Sequence, residues 1–176
     1  MKLEEEQISK NTFYEGKMIT LELSDVKLPN GHTALREVVR HPGGAAVLFV
    51  KGGKVLMERQ FRFPYNKVIW EIPAGKLGRG EDPKAAAMRE LEEETGYRAE
   101  ELYHLVDIYP SPGYTDEIIH IYLAEGGEMA GQHLDDDEFI NARFVKLCEV
   151  ERMIENGEIC DAKTIAAVYK YLRGLR

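Results

Sequence analysis

Residues 75–97 read GKLGRGEDPKAAAMRELEEETGY, a glycine-rich loop followed by a glutamate-rich segment. Asp82 and Pro83 are typical of a helix N-cap and first helical position, and Gly96 is typical of a residue that ends a helix. We therefore predict a helix over residues 83–95.

Three glutamates of the predicted helix share one side of it. At 100° per residue, Glu90, Glu93 and Glu94 fall within an arc of roughly 100°, beside the apolar face around Leu91. Like charges at these spacings repel, and negative charge is unfavourable near a helix C-terminus. A divalent cation removes both penalties, and Mg²⁺ prefers oxygen ligands. A solvated acidic face is the alternative interpretation of the same pattern.

The composition of the chain also points to a cation. Its 176 residues include 31 acidic and 23 basic side chains, which give a formal net charge of −8. This balance argues against a nucleic-acid partner, because phosphate backbones bind basic surfaces. A negative protein that handles a negative substrate needs a cation between them. The length and the 44% hydrophobic content are typical of one soluble globular domain.

The cysteines and apolar runs predict a cytoplasmic protein. Cys148 and Cys160 have no cysteine or histidine at ligand spacing beside them, so neither a disulfide framework nor a zinc site is indicated. The longest apolar run, residues 45–50, is too short to span a bilayer, and residues 1–6 are acidic rather than apolar. We expect reduced thiols and no membrane partner.

Hydrophobic periodicity predicts a strand-rich chain around the acidic helix. Residues 19–24 and 35–39 predict a hairpin joined by a turn at residues 29–31. The remaining strands are predicted at residues 44–50, 55–62, 68–72, 102–108, 118–124 and 139–145. Two further helices are predicted at residues 149–155 and 163–172.

The spacing of fixed residues in the loop and helix resembles the Nudix box. The matching positions are Gly75, Glu81, Arg89-Glu90-Leu91, Glu93-Glu94 and Gly96-Tyr97. Tyr97 stands where the family usually has a bulky aliphatic residue. The resemblance implies an α/β fold, an α/β/α sandwich around a mixed β-sheet. It also implies a hydrolase that uses Mg²⁺, with Mn²⁺ able to substitute.

The resemblance assigns a role to each matching residue. It implies that Glu90, Glu93 and Glu94 are metal ligands, together with the backbone carbonyl of Ala74. It gives structural roles within the box to the remaining positions, Gly75, Glu81, Arg89 and Gly96.

Segments outside the box resemble the ADP-ribose pyrophosphatase branch of the family. They are Glu58–Arg62, Glu71–Gly75 and the turn around Pro112, sixteen residues after Gly96. The likeness implies hydrolysis of ADP-ribose to AMP and ribose 5-phosphate. It places Arg62 on the diphosphate, and it places Arg36, Glu71 and Glu117 on the nucleoside or ribose. Arginine suits the first role because its planar fork matches phosphate oxygens.

The catalytic base is not obvious from the box, because its glutamates are assigned to metal. Resembling enzymes use a carboxylate from a loop far along the chain, and here the matching segment is residues 134–138. Asp136 aligns with that carboxylate, Glu138 has the longer reach, and Glu93 is the third candidate. A solvated acidic turn is the alternative interpretation of this segment.

The N-terminal part of the chain exceeds what the Nudix domain needs. We assign residues 1–42 to N-terminal strands with a hairpin, and residues 43–176 to the Nudix domain. In similar enzymes such strands exchange across a homodimer, so Arg36 is expected to reach the partner's site.

Three other functions stay open at this point. One is a Nudix pyrophosphatase for a nucleotide sugar or a dinucleoside polyphosphate. Another is a catalytically silent domain that binds a nucleotide and regulates a partner protein. The last is a structural interaction domain without magnesium dependence.

Overall fold

The structure, a computed structural model, describes residues 2–134 and 138–174. The chain forms two compact units. The first ends at Gly43 and also takes in Tyr109–Ile118. The second comprises Gly44–Ile108 and the described residues from Ile119 onward.

The first unit contains a three-stranded antiparallel sheet. Its strands are β1 (Glu6–Glu15), β2 (Thr20–Lys27) and β3 (Thr33–Arg40), in the order β1-β2-β3. The predicted hairpin is present as β2 and β3, with a turn in which Asn30 Oδ1 accepts from the backbone N–H of His32 at 3.0 Å. Strand β1 was not predicted, because its sequence EQISKNTFYE is exposed on both faces and shows no apolar alternation.

The second unit contains the remaining strands and the helices. Its strands are β4 (Gly44–Lys51), β5 (Lys54–Arg62), β6 (Lys67–Glu71), β7 (Ala74–Lys76), β8 (Tyr97–Ala99), β9 (Tyr103–Ile108), β10 (Ile119–Glu125), β11 (Gly127–Met129) and β12 (Ile140–Lys146). Its α-helices are α1 (Pro83–Thr95), α2 (Leu147–Glu155) and α3 (Ala162–Gly174), and a 3₁₀ turn covers Phe63–Tyr65. Within the described residues, no helix is both long enough and apolar enough to cross a membrane.

The sheet of the second unit is mixed. Its path is β12-β5-β4-β10-β9, with β6 paired to β5 and β7 paired to β4. Strands β4 and β10 are parallel, whereas the other pairs are antiparallel. Strands β8 and β11 form a separate short ladder. Neither was predicted, because three residues are too few to show a period.

Strand β4 is buried on both faces and divides the core. Ala46 and Leu48 pack in one cluster with residues of α2 and α3, such as Val168. Ala45 and Val47 pack in the other cluster with residues of α1, such as Leu91. A continuous apolar strand is what a sheet covered by helices on both sides requires. The predicted α/β/α sandwich around a mixed sheet is therefore confirmed.

Helix α1 has the bounds that its end signals predict. Asp82 Oδ1 accepts from the backbone N–H of Ala85 at 3.0 Å, which caps the N-terminus. At the other end Gly96 has φ 74° and donates its N–H to the Glu92 carbonyl. This left-handed conformation is the one that favours glycine.

Helix α3 is attached to the sheet by buried polar contacts at its first turn. Thr164 Oγ1 accepts from the backbone N–H of Ile72 at 2.9 Å. The ammonium of Lys163 contacts the carboxylate of Glu71 and lies 3.2 Å from Asp161 Oδ2. Lys163 and Glu71 are both fully or nearly fully buried. Water therefore contributes little to their solvation, and each charge depends on the other.

The protonation of this pair follows from its neighbours. Burial disfavours the charge of Glu71, but hydrogen bonds and charges from Arg62 and Lys163 outweigh it and lower the pKa of Glu71. Burial also disfavours the charge of Lys163, but Asp161 and Glu71 outweigh it and raise the pKa of Lys163. Both groups are therefore ionised at neutral pH.

We predict that Lys163→Met lowers the free energy of unfolding by about 3–5 kcal/mol, because Glu71 is left buried with half of its compensation removed. Urea unfolding followed by circular dichroism measures the change. Lys170→Met is the matched control, since Lys170 lies on the same helix and is exposed. Equal stability of the two variants would contradict the importance assigned to the buried pair.

Candidate functional site

Arg89 joins the glycine-rich loop to the acidic helix. Its Nε lies 3.0 Å from Glu81 Oε1, and its Nη1 lies 2.8 Å from both Glu90 Oε1 and Glu93 Oε2. Glu81 Oε2 also accepts from the backbone N–H of Gly78 at 2.7 Å. One guanidinium thus contacts three carboxylates, and Glu81 fastens the loop to the helix.

Gly75 leaves the space that the Glu90 carboxylate occupies. A Cβ at residue 75 would lie 2.0 Å from Glu90 Cδ, well inside van der Waals contact. The φ of Gly75 is not in the left-handed region. Glycine is therefore required here because the Glu90 carboxylate approaches the backbone closely, and not because of a left-handed backbone conformation.

Glu94 is the most deeply buried of the predicted metal ligands. Its side chain is 2% exposed, and its Oε2 accepts from the backbone N–H of Ala74 at 2.8 Å. Burial, and then the charge of Glu58 and of Glu90, raises the pKa of Glu94. Ala74, whose carbonyl was predicted to be a ligand, begins β7 directly beside this carboxylate.

Glu138 is half-buried and lies near enough to buried carboxylates of the second unit for its charge to act on them. Burial, together with negative charges that include Glu138, raises the pKa of Glu58, Glu90 and Glu94. The structure thus brings one of the loop candidates for the base close to the box. The other, Asp136, lies outside the described residues. Glu93 is the third candidate for the base. Its side chain is 42% exposed, and its carboxylate forms an ion pair with Arg89.

Arg62 and Glu71 form a bidentate ion pair. Arg62 Nε lies 2.7 Å from Glu71 Oε1, and Arg62 Nη2 lies 3.0 Å from Glu71 Oε2. Lys163 also contacts Glu71, so the Glu71 carboxylate is fixed in position and in turn fixes the guanidinium of Arg62. The Nη1 donors take no part in the pair with Glu71, so they are the donors that Arg62 can offer to a phosphate.

Arg36 and Glu117, the other residues assigned to substrate, belong to the first unit. Arg36 lies on β3 and donates from Nε to Glu5 Oε2 at 3.0 Å. Glu117 Oε1 lies 3.4 Å from His41 Nδ1. Each has its contact within the first unit.

Sequence reasoning missed two buried residues of the second unit, Lys163 and Glu58, and the buried amide oxygen of Gln60. Lys163 was seen only as the start of a helix, and nothing in its neighbourhood signals burial. Glu58 and Gln60 were identified only as members of Glu58–Arg62, a segment that resembles the ADP-ribose pyrophosphatase branch. A signal for Glu58 existed, since it directly follows the apolar run Val55–Met57 inside a strand that fills the core.

The box residues fit a magnesium ion by their donor chemistry. Glu90, Glu93 and Glu94 offer only carboxylate oxygens, which are the ligands that Mg²⁺ prefers. Within residues 2–134 and 138–174, no three acidic, histidine or cysteine side chains already converge on a single point. Arg89 explains part of this arrangement, because it draws Glu90 and Glu93 to itself.

Comparison with known proteins places this geometry in a family. The NUDIX domain matches residues 39–168. The ADP-ribose pyrophosphatase of Bacillus subtilis (strain 168) is 47% identical over 174 residues, covering 97% of this chain and 94% of that protein. The "Methanol dehydrogenase activator" of Bacillus methanolicus is 46% identical over 175 residues, covering 97% and 93%. A solved structure described as an ADP compounds hydrolase shares the fold, with a TM-score of 0.86, 21% identity, and coverage of 99% of this chain and 96% of that one. With the box residues in place on the loop and helix, the chain belongs to the Nudix hydrolase family.

Proposed function

We propose that the protein hydrolyses the diphosphate linkage of ADP-ribose to AMP and ribose 5-phosphate in a magnesium-dependent reaction. The observation that carries the proposal is the placement of the three box glutamates beside the loop, where Arg89 contacts Glu90 and Glu93 and the backbone N–H of Ala74 donates to Glu94. The choice of ADP-ribose rests on the likeness to the Bacillus subtilis ADP-ribose pyrophosphatase along almost the whole chain.

Glu90, Glu93, Glu94 and the carbonyl of Ala74 would hold the magnesium ion. When bound, the ion supplies Lewis-acid polarisation of phosphate oxygens and neutralises developing negative charge. Arg89 contacts Glu90 and Glu93 and, through Glu81, holds the loop close to them. Mn²⁺ is expected to substitute, because it accepts similar oxygen ligands.

The side chains of the protein perform the other steps. Arg62 offers its Nη1 donors to a phosphate oxygen while Glu71 fixes the plane of the guanidinium. Glu138 takes a proton from water as the water oxygen forms a bond to phosphorus. The bridging P–O bond breaks, one phosphate stays with AMP, and the other stays with ribose 5-phosphate.

Two other functions remain alternatives. The first is hydrolysis of another nucleoside diphosphate derivative, such as a nucleotide sugar or a dinucleoside polyphosphate. The second is a nucleotide-binding regulator, in keeping with the name of the Bacillus methanolicus relative. The complete set of box carboxylates favours catalysis, because a domain that only binds has no need of glutamates that repel one another.

We predict that the parent enzyme releases AMP and ribose 5-phosphate from ADP-ribose only when Mg²⁺ or Mn²⁺ is present. Glu94→Gln and Glu93→Gln are each expected to lower kcat at least about 100-fold with the fold intact, because the transition state loses electrostatic stabilisation. The measurement is product chromatography on a panel of ADP-ribose, nucleotide sugars and dinucleoside polyphosphates.

Glu155→Gln is the matched control for loss of one carboxylate, since Glu155 is exposed on α2. Full activity of both box variants at saturating Mg²⁺ would refute the metal assignment. Faster turnover of another member of the panel would identify that compound, rather than ADP-ribose, as the preferred substrate. Absence of hydrolysis of any member would favour the regulator.

We predict that a loop carboxylate is the general base. Glu138→Gln or Asp136→Asn should lower kcat by about 10²- to 10⁴-fold and change KM little, with Glu138 favoured because of its longer side chain. Steady-state kinetics with ADP-ribose measures both constants. Glu128→Gln, at an exposed position of β11, is the control. If both variants and the double variant keep the parent rate, Glu93 becomes the leading candidate.

We also propose that the protein is a homodimer assembled through its N-terminal strands, residues 1–42. The first unit exposes several large apolar side chains, and exposed apolar surface is what a protein–protein interface would cover. They are Leu3, Ile8, Phe13, Tyr14, Met18 and Leu35. In this arrangement Arg36 serves the site of the partner subunit.

We predict that Arg36→Ala and Glu94→Gln chains, each weakly active alone, complement each other when unfolded together and refolded. Random assembly makes half of the dimers hybrids with one complete site of two, so about one quarter of parent activity should return. Light scattering establishes the dimer beforehand. A monomer with full activity, or a mixture as inactive as its parts, would rule out the shared site.

We propose a cytoplasmic location as well. Cys148 and Cys160 are exposed free thiols, which suits a reducing compartment.

A further inference from the structure

Glu58 is a fully buried carboxylate without a hydrogen-bond donor. Its exposed fraction is 0%, and neither of its oxygens has a partner in the described part of the chain. Gln60 Oε1, two residues further along β5, is also buried and lacks a donor. Buried acceptors are normally satisfied, because leaving a charged one unpaired is costly. Three acceptor oxygens without donors, on alternate residues of one strand, therefore require an explanation.

Glu58 projects toward helix α1. Side chains two residues apart share a strand face, so Glu58 lies on the face of Leu56, which packs in the same cluster as Leu91 of α1. Ala142, the cross-strand neighbour of Glu58, also packs against that cluster. Glu94 follows Leu91 by three residues and hence lies on the same side of α1. Glu58 and Glu94 thus face each other between β5 and α1.

The electrostatics agree with this placement. After burial, the charge of Glu58 is the largest influence that raises the pKa of Glu94. The repulsion between two facing carboxylates can be removed by a proton that they share or by a bound cation. A shared proton satisfies at most one oxygen of Glu58 and leaves Gln60 Oε1 without a donor. A divalent cation takes six or more oxygen ligands and can use all of these acceptors.

We propose that the Glu58 carboxylate, with the amide oxygen of Gln60, is a further ligand of the divalent cation that Glu94 binds. This inference rests on the proposed function, since it adds ligands from β5 to the cation held by the Nudix box. The cation then joins the strand to α1, and it compensates two buried negative charges at once.

The test measures cation binding without turnover. Chelator-treated protein is titrated with Mn²⁺ and followed by electron paramagnetic resonance, and thermal unfolding is recorded with and without Mn²⁺. Glu58→Gln should weaken Mn²⁺ binding at least about tenfold, as the loss of a ligand or of its support does. Without metal, Glu58→Gln and Glu58→Met should each melt at or above the parent temperature, because each removes a buried carboxyl group that has no hydrogen-bond partner. Both should show a smaller Mn²⁺-induced rise in Tm.

Glu155→Gln, which removes an exposed carboxylate from α2, should change neither measurement. Glu94→Gln serves as the reference for loss of a box ligand. If Glu58→Gln binds Mn²⁺ as tightly as the parent or more tightly while Glu94→Gln does not, Glu58 only shares a proton with Glu94 and this inference fails alone. If the parent itself binds no Mn²⁺, the proposed function fails and this inference fails with it.

Discussion

Negative charge crowded onto one helix is the constraint on which the rest of the site depends. Arg89, which is partly exposed, neutralises part of this charge, because its single guanidinium contacts Glu81, Glu90 and Glu93. The same contacts fix the loop, because Glu81 also binds the backbone of Gly78. Loop shape and charge neutralisation are therefore one arrangement, so a change at Arg89 would disturb both.

The buried carboxylates nearer the core are compensated in a different way. Glu71 is neutralised by two cations, Arg62 and Lys163, from different elements of the fold. Glu58 and Glu94 instead oppose each other, and Glu94 accepts a backbone N–H from Ala74. The second unit thus contains one carboxylate that two cationic side chains compensate, and near it a second buried carboxylate, Glu58, that has no hydrogen-bond donor in the described part of the chain.

Much of the second unit could be predicted because its signals are local. Asp82, Pro83 and Gly96 bound α1 by capping chemistry that acts within one turn, and the apolar run of β4 shows a strand covered on both sides. The box residues were identified by spacing, and the contact of Arg89 with Glu93 follows from helical geometry. Such features need no knowledge of distant parts of the chain.

The features that could not be predicted depend on distant contacts or lack a period. Strand β1 is exposed on both faces, so it carries no alternation. The reason for glycine at residue 75 appears only once Glu90 is folded against it. Lys163 reads as a surface lysine until α3 packs on the sheet and buries it beside Glu71. The ion pair between Lys163 and Glu71 joins residues 92 positions apart. During synthesis, Glu71 therefore leaves the ribosome long before its second cation exists, so the nascent chain must keep that carboxylate in water until α3 has been made. Final closure of this part of the core thus waits until α3 has been synthesised, and the strands that receive this helix all precede it in the chain.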